Sequence, residues 1–496
     1  MKLKEDDFLK MNKLGIIKSF FQIKKVLLAV IKEYKNEAEK RKLSNINQET
    51  NQPTSKKPEW DKDGDPIPKG KKKKNNTNSQ TRKRAKRKGS GNQKKDNIEP
   101  DVTQRNDLQN CPICNTDISD RKITDEYPRI IEDLINFSQK TIVVEEIQVR
   151  KWCPACKKFV SSVSELALPK SDIGIRAMVL SAYMWVVMAL SLPNIEKFLK
   201  NIFRLTLSTS GISKIMIRLS KILEPVYDEI REDVRSGFEL YADETGWRVK
   251  GVLWWLWIFA NEKSAFYWPD RRRGSPVVEK VMGNIFGGIL ISDAWHAYTK
   301  ISCLDRQTCM AHIFRKIRKF IEKFPQYRSI LTFYVKLRKI IKHGEKLKSI
   351  RNEIGEEAFG RRLKALNRRL KKLLAWRKPN PILEEVIKKV KRQEDHILTF
   401  VEYENVPSHN NYGEYIIKKG ILKRKISGGS KSEEGFRSYT CLQSIAQTCY
   451  LRKISFLDFL TKSLIHYTRK GRPLLLAQYE AATENRVLNK KTGEAA

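Results

Sequence analysis

The chain has 496 residues, too many for one hydrophobic core, and its 98 Lys and Arg against 57 Asp and Glu leave a formal net charge of +41. That excess is beyond what solubility needs and predicts a polyanionic partner. No apolar run approaches the roughly 20 residues that span a bilayer, so nucleic acid is expected rather than a membrane.

At the start, Met1-Lys-Leu-Lys-Glu-Asp-Asp7 lacks the basic-then-apolar layout of a secretion signal. Eight cysteines include two C-x-x-C pairs, which without an export signal read as zinc ligands and place the protein in a reducing cytoplasm. Ile16, Phe20, Ile23, Leu27, Val30 and Tyr34 alternate steps of four and three. That is the seam of a short coiled coil, or of a single amphipathic helix laid on the body of the protein. From about Leu43 to Asn110 the chain is rich in Asn, Gln, Ser, Pro and Lys, and Lys69 to Lys95 holds 13 Lys or Arg and no acid. Such a segment cannot bury a core and reads as a disordered basic arm with salt-sensitive affinity for phosphates.

Cys111-Pro-Ile-Cys114 and Cys153-Pro-Ala-Cys156 are two knuckle turns that together supply a tetrahedral thiolate set. Thr141 to Trp152 between them alternates like a hairpin strand, so a structural zinc ribbon is expected. Three helices are expected next, over Ile173–Leu190, Pro193–Arg204 and Ser208–Leu223. The last two are joined like a helix-turn-helix, with Lys214, Arg218 and Lys221 on the second; an ordinary helical bundle is the alternative.

The central stretch opens with Phe238–Ala242, a short strand expected to stop at Asp243-Glu-Thr-Gly246. Val252–Ala260 is aromatic and β-branched and reads as a buried strand; Ser264–Trp268 completes a meander. Ser275-Pro276 starts a helix, and Gly287–Ser292 returns as a strand ending at Asp293. Strands of one sheet ending in acids can bring two carboxylates to one rim, where their repulsion calls for Mg2+ or Mn2+. Asp243 and Asp293 as ordinary turn acids is the plain alternative.

Cys309-Met-Ala-His312 lacks two ligands of a metal site and reads as a buried polar pair supporting the active rim. Phe314 to Phe400 is charged, helical and leucine-bearing, an insertion with a basic face that includes Arg315, or a solvated hairpin. Asn410-Asn411 caps a helix that carries Glu414 in its first turn; the basic Lys423-Arg-Lys425 follows, and a helical tail is expected from Glu434 to His466.

Ala242-Asp-Glu-Thr-Gly-Trp247, the tryptophan-rich strand, Ser292-Asp293 with Tyr298, Cys309-x-x-His312-x-x-Arg315, Asn410-Asn-x-x-Glu414 and Gly429-Ser430 together resemble the DDE transposases of the insertion-sequence-66 family. The resemblance implies an α/β fold. Its core would be a ribonuclease-H-like mixed sheet with a helical insertion, preceded by a zinc ribbon and a helix-turn-helix region. The implied organisation is an N-terminal helix (1–43), basic linker (44–110), zinc ribbon (111–170), helical DNA-binding region (171–236), first core part (237–312), insertion (313–400), second core part (401–466) and tail (467–496). The metal-binding triad falls on Asp243, Asp293 and Glu414. Implied partners are terminal-repeat and target DNA, further copies of the chain and small accessory proteins of the same element. Two departures stand out: Tyr415 follows the third acid where arginine is common, and Gly413 replaces alanine. The alternatives are a DNA-binding derivative that no longer cuts, and a nuclease that stops at hydrolysis.

Overall fold

In the computed structural model the described residues are 99–483, apart from 101, 135–140 and 378–379. The expected N-terminal helix and nearly all of the basic linker lie outside them. Residues 310–404 form one compact unit; the described residues before 310 and after 404 form the other.

The second unit opens with a four-stranded sheet in the order β1 (Val102–Asn106), β3 (Thr141–Cys153), β2 (Ile123–Leu134), with β4 (Lys158–Ser161) also paired to β3. β1 falls inside the segment expected to be linker, which corrects that boundary: five residues gain ladder hydrogen bonds by lying parallel to Val144–Gln148. β2 and β3 are the long hairpin that the alternation after Thr141 announces.

Four helices follow: α1 (Ile175–Val186), α2 (Leu192–Phe203), α3 (Thr209–Ile222) and α4 (Glu224–Ser236). Local chemistry sets their ends. Ser191 and Ser208 cap α2 and α3 by accepting from the backbone N–H of Asn194 and Gly211, and Arg204 ends α2 in the left-handed conformation.

The main sheet has five strands in the order β7 (Ala265–Asp270), β6 (Val252–Ala260), β5 (Glu239–Val249), β8 (Ile285–Ser292), β9 (Ser302–Thr308). The first three form the expected antiparallel meander, whereas β8 and β9 run parallel to β5. β5 does not stop at Asp243. It continues to Val249 because β6 pairs with it over the whole length from Tyr241↔Ala260 to Val249↔Val252, so Asp243 is mid-strand. β9 carries no clear strand signal in Ser302-Cys-Leu-Asp-Arg-Gln-Thr308, which is mostly polar. Gly288 permits β8 to approach: a Cβ there would meet the Phe238 carbonyl oxygen at 2.2 Å. α5 (Ser275–Met282) joins β7 to β8.

Residues 310–404 are helical: α6 (Met310–Lys323), α7 (Arg328–Ser349), α8 (Glu356–Leu374) and α9 (Pro381–Lys391), with two four-residue turns. Returning to the second unit, α10 (Asn411–Ser427) lies on β5 and β6, and α11 (Glu433–Leu451) on β7 and α3. The expected single tail helix breaks at Arg452–Ser455, where Lys453 takes a positive φ, and resumes as α12 (Phe456–Lys470). The core is aromatic: Trp247 stacks on Phe436 and Tyr439, and Trp257, Phe259, Phe266 and Tyr267 are fully buried. Each such side chain contributes roughly 1.5–3 kcal/mol by leaving water. Among the described residues no helix is long and apolar enough to cross a membrane.

Candidate active site

The parallel register of β5 and β8 brings the first two acids together. Glu239, Leu240 and Tyr241 pair with Ile289, Leu290 and Ile291. Carried two residues further, that register sets Asp243 beside Asp293 at about the 4.8 Å that separates neighbouring strands. β8 ends at Ser292, so Asp293 follows directly on the end of that strand.

The third acid arrives from α10, where Glu414 sits in the first turn as its sequence context suggests. Asp243 registers the arrival. Its carboxyl is held well above the usual range, first by burial and then by the charges of Glu244, Asp293 and Glu414. Charges from two distant parts of the chain therefore bear on Asp243. Hard carboxylate oxygens whose repulsion already opposes ionisation are a donor set that fits Mg2+ or Mn2+.

Buried hydrogen bonds tie the three acid-bearing segments. Asn410, fully buried, donates its amide to the Ala242 carbonyl at 2.9 Å, next to Asp243. The Asn410 backbone N–H donates to Cys309 Sγ at 3.1 Å, and the Cys309 N–H donates to the Ser292 carbonyl at 2.8 Å, next to Asp293. Asn410 thus occupies the cap position without capping; its side chain joins α10 to β5 instead. This also explains Gly413, because a Cβ there would meet Asn410 Oδ1 at 2.4 Å. Cys309 is fully buried between these segments, while His312 is buried in the first turn of α6, in the helical unit.

The family model described as "Transposase IS66 family" matches residues 173–438, which include all three acids. The chain belongs to the IS66 transposase family. Two relatives from Sinorhizobium fredii are similar over parts of the chain. The uncharacterized protein y4qI is 24% identical over 286 residues, 52% of this chain and 53% of its own length. The uncharacterized protein y4jO is 27% identical over 96 residues, 19% of this chain and 30% of its own length. The chain thus spans about half, or less, of the relatives it matches.

Beside these acids lies a buried group that spacing alone did not single out. Glu244, next to Asp243 but on the opposite face of β5, accepts from Arg273 Nε and Nη2 at 2.9 and 2.7 Å and from the Tyr298 hydroxyl at 2.5 Å. Its carboxyl is pushed up to about 7, first by burial and then by Asp293, against the pull of Arg273. The Arg273 guanidinium lies 4.1 Å from the ring centroid of Trp295 and 4.7 Å from that of Trp255. Trp295 in turn donates its backbone N–H to Asp293 at 2.9 Å, so this ion pair reaches the second acid. Tyr298 was visible in the Ser292-Asp293 motif, but Arg273 had no motif to announce it.

Ser430, another motif residue, receives Trp247 Nε1 at 3.0 Å and bridges to Val249, pinning the far end of β5. Lys419 lies over the Tyr415 ring at 5.2 Å and so brings a cation to the position where the family often has arginine.

The four cysteines converge as their spacing implies. Cys111 and Cys156 sulfurs are 3.7 Å apart, Cys114 and Cys153 3.4 Å, and all four lie within 4.8 Å of one another. A tetrahedron with zinc–sulfur bonds of about 2.3 Å has sulfurs about 3.8 Å apart, so the set could hold zinc. The Cys114 thiol is lowered to about 6, first by the Thr116 hydroxyl. Among the described residues the carboxylates do not close to the thiol spacing.

The cations expected to contact DNA fare unequally. Lys214 and Lys425 are exposed, and Arg315 is exposed on α6 of the helical unit. Arg218 instead donates to the Pro169 carbonyl, and Lys221 pairs with Glu434 at 2.7 Å. α3 buries Ile212, Ile215, Met216, Leu219 and Ile222, and packs against α11.

Proposed function

We propose that the chain is a DDE transposase that cleaves DNA at the ends of an insertion sequence and joins the freed ends to a target. Asp243, Asp293 and Glu414 are its metal-binding acids. The observation that carries this reading is that the charges of Asp293 and Glu414, at the end of β8 and in the first turn of α10, both bear on the buried Asp243 of β5. Support also comes from the sheet, with its antiparallel meander followed by two parallel strands in the order β7-β6-β5-β8-β9, which is the arrangement expected of a ribonuclease-H-like core.

Mg2+ or Mn2+ at these carboxylates would neutralise charge at the scissile phosphate and polarise the attacking oxygen. The protein's own part is placement. Asn410 and Cys309 hold the acids in position, and the Arg273–Glu244 pair backs the segment that carries Asp293. In the first step water oxygen bonds to phosphorus as the bond to the 3′ oxygen breaks, leaving a 3′-hydroxyl. In the second, that hydroxyl attacks a target phosphodiester and displaces its 3′ oxygen, so no covalent protein intermediate is needed. DNA is bound mainly through phosphates, with Lys214, Lys425 and Arg315 as contacts. Arg218 and Lys221 belong to the same expectation only where DNA displaces Pro169 or Glu434. The α2–α3 pair is the helix-turn-helix of this reading, the four thiols hold structural zinc, and assembly of more than one copy accompanies pairing of element ends.

The test is strand transfer of labelled element-end DNA with Mg2+ by the full chain and by Asp243→Asn, Asp293→Asn and Glu414→Gln. Loss of cleavage with retained DNA binding in each variant is expected. Full activity of Asp243→Asn or Asp293→Asn overturns the assignment. Salt-sensitive binding without cleavage by the unaltered chain would support a DNA-binding derivative, and cleaved ends that never join would support a nuclease.

A further inference from the structure

The outer face of the β3–β4 hairpin carries two large aromatic rings in solvent. Trp152 and Phe159 are 42% and 46% exposed and sit directly opposite each other across the ladder. Their centroids are 5.0 Å apart with planes at 69°, an edge-to-face contact that leaves ring faces open. Alternation explains the placement: Lys151, Cys153 and Val160 point inward and are buried, which forces Arg150, Trp152 and Phe159 outward. The Arg150 guanidinium lies 4.9 Å from the Phe159 centroid. Exposed Lys157 lies on the turn between the two strands, and Asp125 is the acid whose register position faces Arg150.

A metal held by the four thiols would make this surface rigid. Cys153 follows Trp152 and Cys156 precedes Lys157, so the four sulfurs flank the turn that carries Lys157 and joins the strands bearing both rings. Exposed apolar rings held at a fixed spacing and ringed by cations match a ligand that is flat, apolar on its faces and negatively charged along its backbone. An unpaired nucleotide strand has these properties. In a duplex the base faces are hidden in the stack, so only the backbone would be engaged.

We propose that Trp152 and Phe159 form a stacking platform for unpaired bases of a DNA strand, with Arg150 and Lys157 on its phosphates. The proposal deepens the transposase reading and rests on it: the strand ends handled at the acids would be held open on this hairpin.

The test compares binding of a labelled oligothymidylate and of a blunt duplex of equal length to the full chain at one fixed salt concentration. Trp152→Ala and Phe159→Ala are each expected to weaken oligothymidylate binding roughly tenfold, the effect of removing one stacked base, and to leave duplex binding within about twofold. Trp152→Phe should retain most of the affinity. If an alanine variant loses zinc or melts early, tryptophan fluorescence decides: oligothymidylate should quench the unaltered chain more than Trp152→Phe. Equal quenching, equal loss on both DNAs, or unchanged oligothymidylate affinity in the alanine variants overturns the platform. So does a change in oligomeric state caused by Trp152→Ala, since the rings would then be a contact between copies. A chain that binds neither DNA sinks the transposase reading itself, whereas normal duplex binding with an inert platform sinks only this inference.

Discussion

Replacing Asp243 by Asn removes one charge from the acid cluster while keeping a side-chain oxygen for the Glu244 N–H at 2.9 Å. Two full charges at roughly 5 Å and an effective dielectric of about 20 repel by about 3 kcal/mol, which sets the upper limit of the gain. The metal-free protein escapes part of that cost by holding protons. The carboxyls of Asp243 and Glu244 are raised, that of Glu244 to about 7, so the folded chain binds protons that the unfolded chain has already released. Stability from these groups is therefore fully present below the ordinary carboxylate range and drains as pH rises to about 7 and beyond. Asp243→Asn should flatten that decline. It should raise the melting temperature of the metal-free protein above pH 7 by on the order of 5 °C, given a few degrees per kcal/mol. In the unaltered chain Mg2+ or Mn2+ should do the same, by about 2.7 kcal/mol at a hundredfold excess over its dissociation constant, and more at high pH than at low. Thermal melting with and without Mn2+ on both sides of pH 7 reads all of this. A variant that melts lower than the parent above pH 7, and that keeps the full metal-induced rise, would refute the reasoning.

Arg273→Gln leaves Glu244 buried without its counter-charge, with only the Tyr298 hydroxyl still donating to it, since the two side chains of the pair are 15% and 2% exposed. The expected loss is about 3–5 kcal/mol, read by denaturant unfolding, and Arg273→Gln with Glu244→Gln should recover most of it. Gly413→Ala drives a methyl against buried Asn410 and should cost about 1–3 kcal/mol along with DNA cleavage. Adding Asn410→Ala should restore part of the stability but not the cleavage, because the tie to Ala242 stays broken. Cys153→Ser should abolish co-purifying zinc, measured by elemental analysis, and melt the N-terminal sheet first, since structural zinc contributes on the order of 10 kcal/mol.

Much of the site was legible before any tertiary structure. The two C-x-x-C turns announce the thiol cluster because chelation needs only local spacing, and motif order brings Asp243, Asp293 and Glu414 to attention. Local chemistry likewise set the capped helices α2 and α3 and the tryptophan-rich β6. Other features depended on partners remote in sequence. Asp243 looked like the residue after a strand, yet β6 supplies a full ladder and carries β5 past it to Val249. Asn410 looked like a cap, yet its amide is used on Ala242. The cations Arg218 and Lys221 looked available, yet Pro169 and Glu434 engage them. By itself, then, the sequence determined which residues could bind metal and which segments prefer helix or strand, since those depend on side-chain type and short-range periodicity. Only the tertiary structure decided that Arg273, held between Trp255 and Trp295, neutralises Glu244 behind the acids. Which buried charge meets which counter-charge follows from strand register and sheet order, and neither is written in any short window of the chain.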